Sequence, residues 1–144
     1  MISGRIVKNF TLEEMKNSLA AEEIKLELTP EVIEHAQMIQ ELRDWAVKTY
    51  PTTFKDGLSV SSWYRTKQFN KSVGGASNSI HLIARATDIN NIPQSLFEQF
   101  ITAWQVICSN HNKIGGVELY SWGIHFDSFS DKFGYNEFRI KDNR

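Results

Sequence analysis

The chain is 144 residues long, 41% apolar and 23% charged, with a formal net charge of -1. That is the length of one domain able to bury a core, and the composition of an ordinary globular protein. It shows no basic stripe and no long apolar segment, which excludes the usual nucleic-acid binder, a signal peptide and a membrane span. Synthesis in the cytosol without an export signal is therefore expected.

In chain order, the first clear helix opens at Thr29-Pro30-Glu31. Thr29 can cap it, Pro30 suits its first position, and Glu31 favours the positive end of the dipole. Val32, Ala36, Ile39, Leu42, Ala46 and Tyr50 then recur at steps of three and four, making one apolar face that Pro51 ends. His35, within this helix, reads as a surface histidine. Residues 57–64 alternate as a strand. Residues 66–79 are polar, contain Gly74-Gly75 and read as a loop, with a short helix as the alternative for part of it, followed by a short strand over 85–89.

A second helix is predicted from Pro93 or Ser95 to Asn110, with Ser95 and Glu98 spaced as a capping box. Phe97, Phe100, Ile101, Trp104, Ile107 and Cys108 form its broad apolar face. Cys108 is the only cysteine, so no intramolecular disulfide is possible, and it reads as a buried structural thiol. His111 looks like a solvated helix end. Gly115-Gly116 then opens a hairpin: a strand to Tyr120, a turn at 121–123 and a strand over 124–129. The expected architecture is α+β, a small antiparallel sheet flanked by helices, in a single domain over residues 1–144.

The chemistry concentrates in two segments, Ser79-Ile-His81-Leu-Ile-Ala-Arg-Ala-Thr-Asp88 and Ile124-His125-Phe126-Asp127. Two histidines and two carboxylates stand there in apolar, strand-like settings. Buried polar groups need satisfying, and a divalent metal satisfies all of these together. Side chains two apart on a strand share a face, so His125 and Asp127 point the same way. If the strands carrying Asp88 and His125 are neighbours, those two converge, and His81 can fold over the same point. Two histidines and one carboxylate, with a position left for water, make a catalytic zinc set. A carboxylate must then take the water's proton, and Asp127 or Glu118 can do so. Arg65 could hold a substrate carboxylate or a developing oxyanion.

The stretch Trp63-Tyr64-Arg65-Thr66, Asn70, Val73-Gly74-Gly75, Ser79-x-His81 and Ala86-x-Asp88-Ile89, with the later Gly115-Gly116-Val117 and His125-x-Asp127, resembles the zinc D-Ala-D-Ala carboxypeptidase family. That family includes phage L-alanyl-D-glutamate endopeptidases and shares its core fold with hedgehog signalling domains. The segment from Asn9 to Met15, with Ser18, is similar to the opening of its small phage-type members. The resemblance implies His81, Asp88 and His125 as ligands of Zn2+. It also implies that Arg65 and Ser79 contact substrate, and that the substrate is a D-amino-acid-containing stem peptide of peptidoglycan. It places the action at the bacterial cell wall; from charge and the missing apolar segment no nucleic-acid partner and no membrane insertion are expected, and a monomer is expected.

The chain departs from the family pattern twice. Ala84 stands where glycine is usual, followed by Arg85. Trp122 stands three residues before His125, where many relatives carry an acid, which leaves the base to Asp127 or Glu118. A wall-binding or virion module without turnover is the alternative function. An iron oxygenase shares the ligand set, but there His-x-Asp comes first, whereas here it comes last.

Overall fold

The computed structural model of the protein describes residues 5–11, 29–63, 85–129 and 134–144. Its long helix, α1 (Pro30–Thr49), begins as the sequence predicts, with the Thr29 hydroxyl accepting from the Val32 N–H at 3.2 Å. The second helix, α2 (Phe97–Asn110), is preceded by a 3-10 turn over Gln94–Leu96. The predicted Ser95–Glu98 capping box does not form. Ser95 lies inside the 3-10 turn, which is closed by the Leu96 N–H donating to the Pro93 carbonyl at 2.9 Å, and Leu96 occupies the cap position without a side-chain bond.

Two sheets are formed by the described residues. One is a ribbon of β1 (Arg5–Val7) and β2 (Phe10–Thr11). The other has five strands in the order β3, β4, β6, β5, β7, where β3 is Val60–Ser62, β4 Ala86–Ile89, β5 Gly116–Tyr120, β6 Gly123–Asp127 and β7 Arg139–Asp142. Neighbours are antiparallel except β5 and β7, which run parallel. The class is thus α+β, as expected. Strand β7 was not foreseen, because its one apolar residue, Ile140, is 55% exposed and the segment shows no apolar alternation.

The strand pleat divides this sheet into two faces. Thr87, Ile89, Val117, Leu119, Ile124 and Phe126 share one face and are buried with α1 and α2. Trp104 and Phe100 of α2 lie against Phe126, with ring centroids 5.5 and 6.4 Å away. Asp88, Glu118, His125 and Asp127 share the other face. The β5–β6 turn ends at Gly123, where a Cβ would fall 2.0 Å from the Ile89 carbonyl oxygen, so no larger residue fits without moving β4.

Two histidines differ from expectation. His35 is fully buried. Its Nδ1 lies 2.7 Å from Ser128 Oγ and its Nε2 3.0 Å from Thr87 Oγ1, and its ring meets Trp63 and Trp104 edge-on. A histidine at the edge of an apolar stripe can enter the core when hydroxyls there satisfy both nitrogens.

His111 ties the helices together rather than standing in solvent. Its Nδ1 is 3.0 Å from Glu34 and its Nε2 2.5 Å from Glu41, both on α1, while Lys113 Nζ sits 3.1 Å from Glu34. Partial burial pulls the His111 pKa down, but the hydrogen bonds and charges of the two glutamates outweigh it and raise it above 6.5. The stabilisation from this clamp is complete below about pH 6.5 and fades as pH rises through the raised value. Thermal melts of the parent should therefore fall more from pH 6 to 9 than those of His111→Gln. Parallel profiles would show that the clamp contributes nothing.

Candidate functional site

Strand register builds the polar face. Asp88 on β4 lies directly opposite His125 on β6, and His125 lies opposite Glu118 on β5. Asp127 follows two residues after His125 and so points the same way. His125 Nδ1 is 3.0 Å from Asp88 Oδ1, and its Nε2 is 3.0 Å from Asp127 Oδ2 and 4.0 Å from Glu118 Oε2. Four of the predicted site residues thus converge within one patch. Arg65, Ser79 and His81, together with Ala84, lie outside the described residues.

Burial separates the two candidate bases. The Asp127 side chain is fully enclosed, whereas that of Glu118 keeps 21% of its surface. Asp127 is held by His125 and by Arg139, and its backbone carbonyl accepts from the Trp104 indole N–H at 2.9 Å. Glu118 accepts from the Tyr120 hydroxyl at 3.0 Å, Asn143 Nδ2 at 3.2 Å and Arg139 Nη2 at 3.2 Å. Burial, with the charge of Glu118 beside it, pushes the Tyr120 phenol up to about 12, so it remains a donor. Burial pulls the His125 pKa down, but the hydrogen bonds and charges of Asp127 and Asp88 prevail and push it up to about 10.

Sequence reasoning missed Arg139, Tyr120 and Asn143. Tyr120 had a legible signal, standing two residues after Glu118 on the same strand face. Arg139 and Asn143 had none, since they come from β7. Trp122, at the position of the expected acid, lies on the β5–β6 turn, 42% exposed and stacked on Tyr120 with centroids 4.8 Å apart. Arg85, which follows Ala84, is buried. It donates to Ser128 and lies over the Phe129 ring at 4.6 Å.

The donor chemistry suits a divalent cation. Among the described residues, the carboxylates of Asp88, Glu118 and Asp127 gather around His125 and Arg139, the kind of oxygen and nitrogen donors that a divalent cation takes. Two ligands of a tetrahedral zinc at its usual bond lengths stand about 3.3 Å apart, close to the 3.0 Å between Asp88 Oδ1 and His125 Nδ1. With Nδ1 turned to a metal, Nε2 would donate to Asp127, the carboxylate–histidine support common at zinc sites. Among the described residues no group of three such side chains is placed to hold a metal ion. No helix among them is long and apolar enough to cross a membrane.

The sequence model described as Peptidase M15 matches residues 8–127. No curated protein matches the chain.

Proposed function

The chain belongs to the peptidase M15 family, and from that premise we propose that it is a zinc metallopeptidase hydrolysing D-amino-acid-containing stem peptides of bacterial peptidoglycan. It acts at the cell wall as a monomer, of the DD-carboxypeptidase or L-alanyl-D-glutamate endopeptidase type, as in phage lysins. The observation that carries this reading is the 3.0 Å approach of Asp88 to His125 Nδ1, on a sheet face that also holds Glu118, 4.0 Å from Nε2. His81, Asp88 and His125 would hold the metal. When bound, zinc polarises the scissile carbonyl and lowers the pKa of a water to about 7.

The chain's own residues do the rest. Asp127 fixes the His125 ring through Nε2, leaving Nδ1 for coordination. Glu118, the more accessible carboxylate, takes the proton of the attacking water and returns it to the leaving amine. Arg65 and Ser79 bind the substrate, Arg65 through its carboxylate or the developing oxyanion.

Mass spectrometry of muropeptides after incubation with the zinc-loaded protein tests this directly. The expected result is loss of a terminal alanine or a split between stem residues, abolished by chelator and restored by zinc. Intact muropeptides from several wall types would overturn it. The exposed Trp122 in the place of an acid would then favour a wall-binding module without turnover.

A further inference from the structure

We propose that Arg139 is a positioning residue for Glu118 and Asp127, so that β7 completes the site; this rests on the peptidase reading above. Strand β7 lies beyond residues 8–127, the part of the chain that matches the family. It contributes little apolar burial, since Ile140 is exposed. Of its four residues only Arg139 is partly buried.

The geometry follows from one row across three strands. Arg139 on β7 lies opposite Gly116 on β5, and Gly116 lies opposite Asp127 on β6. To reach Asp127 the Arg139 side chain must pass over β5. Gly116 makes room for it: a Cβ there would fall 3.0 Å from Arg139 Cβ and 3.2 Å from its Cζ, and 2.9 Å from its carbonyl oxygen. Having crossed, Nη2 donates both to Asp127 Oδ2 and, at 3.2 Å, to Glu118 Oε2. One nitrogen with two hydrogens thus joins the carboxylate that orients His125 to the carboxylate that meets water. Tyr135 carries the guanidinium over its ring at 5.1 Å, and only 12% of the Arg139 side chain is exposed. Asn143, just past β7, holds the other oxygen of Glu118.

Like-charged carboxylates this close repel, and a shared guanidinium sets their spacing and direction. Misplacing a reacting group by about 1 Å costs on the order of 10²-fold in rate. Arg139 acts through the two carboxylates that it binds.

The test compares full-length Arg139→Ala, Arg139→Lys and Gly116→Ala with the parent. Arg139→Ala should lower kcat by about 10²-fold with KM changed less than about threefold, while zinc content holds at saturating metal. Millimolar guanidinium should restore part of kcat, and Arg139→Lys should keep only a fraction, because a lysine is a point charge and cannot fork. Gly116→Ala should reproduce the loss with Arg139 still present. Nitrogen NMR of the His125 imidazole, assigned by its absence in His125→Gln, should shift in Arg139→Ala whether or not metal is bound. The proposal is overturned if kcat stays within about threefold in Arg139→Ala, or if its loss tracks melting temperature and guanidinium restores nothing. If the parent cleaves no muropeptide, the peptidase reading fails. The imidazole spectrum then decides the positioning role alone, an unshifted resonance counting against it.

Discussion

Glu118→Gln should lower kcat by about 10²–10⁴-fold while zinc remains bound. Glutamine keeps the size of the side chain and can still accept from Tyr120 and Asn143, but it cannot take a proton. The loss should therefore fall on kcat and kcat/KM alike, as for an interaction made only in the transition state. Asp127→Asn should behave differently. Asp127 is fully buried, lies 3.0 Å from His125 Nε2 and is bound by Arg139. Removing its charge loosens the ring that would carry the metal, and supports of this kind cost about 10–100-fold in metal affinity when lost. Excess zinc should then rescue Asp127→Asn and leave Glu118→Gln inactive. The measurements are steady-state kinetics on a muropeptide and metal content after dialysis. Full activity in Glu118→Gln would sink its assignment as base, and the reverse pattern of rescue would exchange the two roles.

Trp104→Ala should damage the fold severely. Trp104 is fully buried, packs edge-on to Phe126 and His35, and donates its indole N–H to the Asp127 carbonyl at 2.9 Å. Truncating a buried tryptophan costs about 3–5 kcal/mol, which in a chain of this size lowers the melting temperature by roughly 6–20 °C. Trp104→Phe separates two contributions. It keeps most of the ring packing but removes one hydrogen bond to a buried carbonyl, at a cost of about 0.5–1.5 kcal/mol. That carbonyl belongs to the residue that orients His125, so Trp104→Phe should also weaken metal binding more than its melting temperature alone would indicate. Equal melting of Trp104→Phe and the parent would remove the indole bond from the account. The check is calorimetry of both variants alongside zinc titration.

The predicted elements that hold are those with local causes. Thr29-Pro30-Glu31 marks the start of α1 by capping chemistry, and the stripe from Val32 to Ala46 marks its buried face. The hairpin of β5 and β6 was legible from Gly115-Gly116 and the turn at 121–123. The boundary that slipped, at the start of α2, did so because a 3-10 turn and an α-helix offer the same apolar residues, and only the bond from Leu96 to Pro93 selects between them.

The sequence by itself determined that His125 and Asp127 share a strand face, because the period of a strand is two and needs no partner. It determined that Asp88 stands on another short strand, and that helix stripes would cover one side of a sheet. It could not determine that β4 and β6 are neighbours in the register that pairs Asp88 with His125, because strand pairing joins residues 37 apart in the chain. Nor could it distinguish the base candidates, since Asp127 and Glu118 differ in burial and partners rather than in type. His35 was misread for the same reason: its burial depends on Thr87 and Ser128, which only the folded sheet brings to it. Arg139 is the extreme case. Its place beside Glu118 and Asp127 rests on a parallel pairing of β7 with β5 and on the missing side chain of Gly116, and neither leaves any trace in the pattern around residue 139.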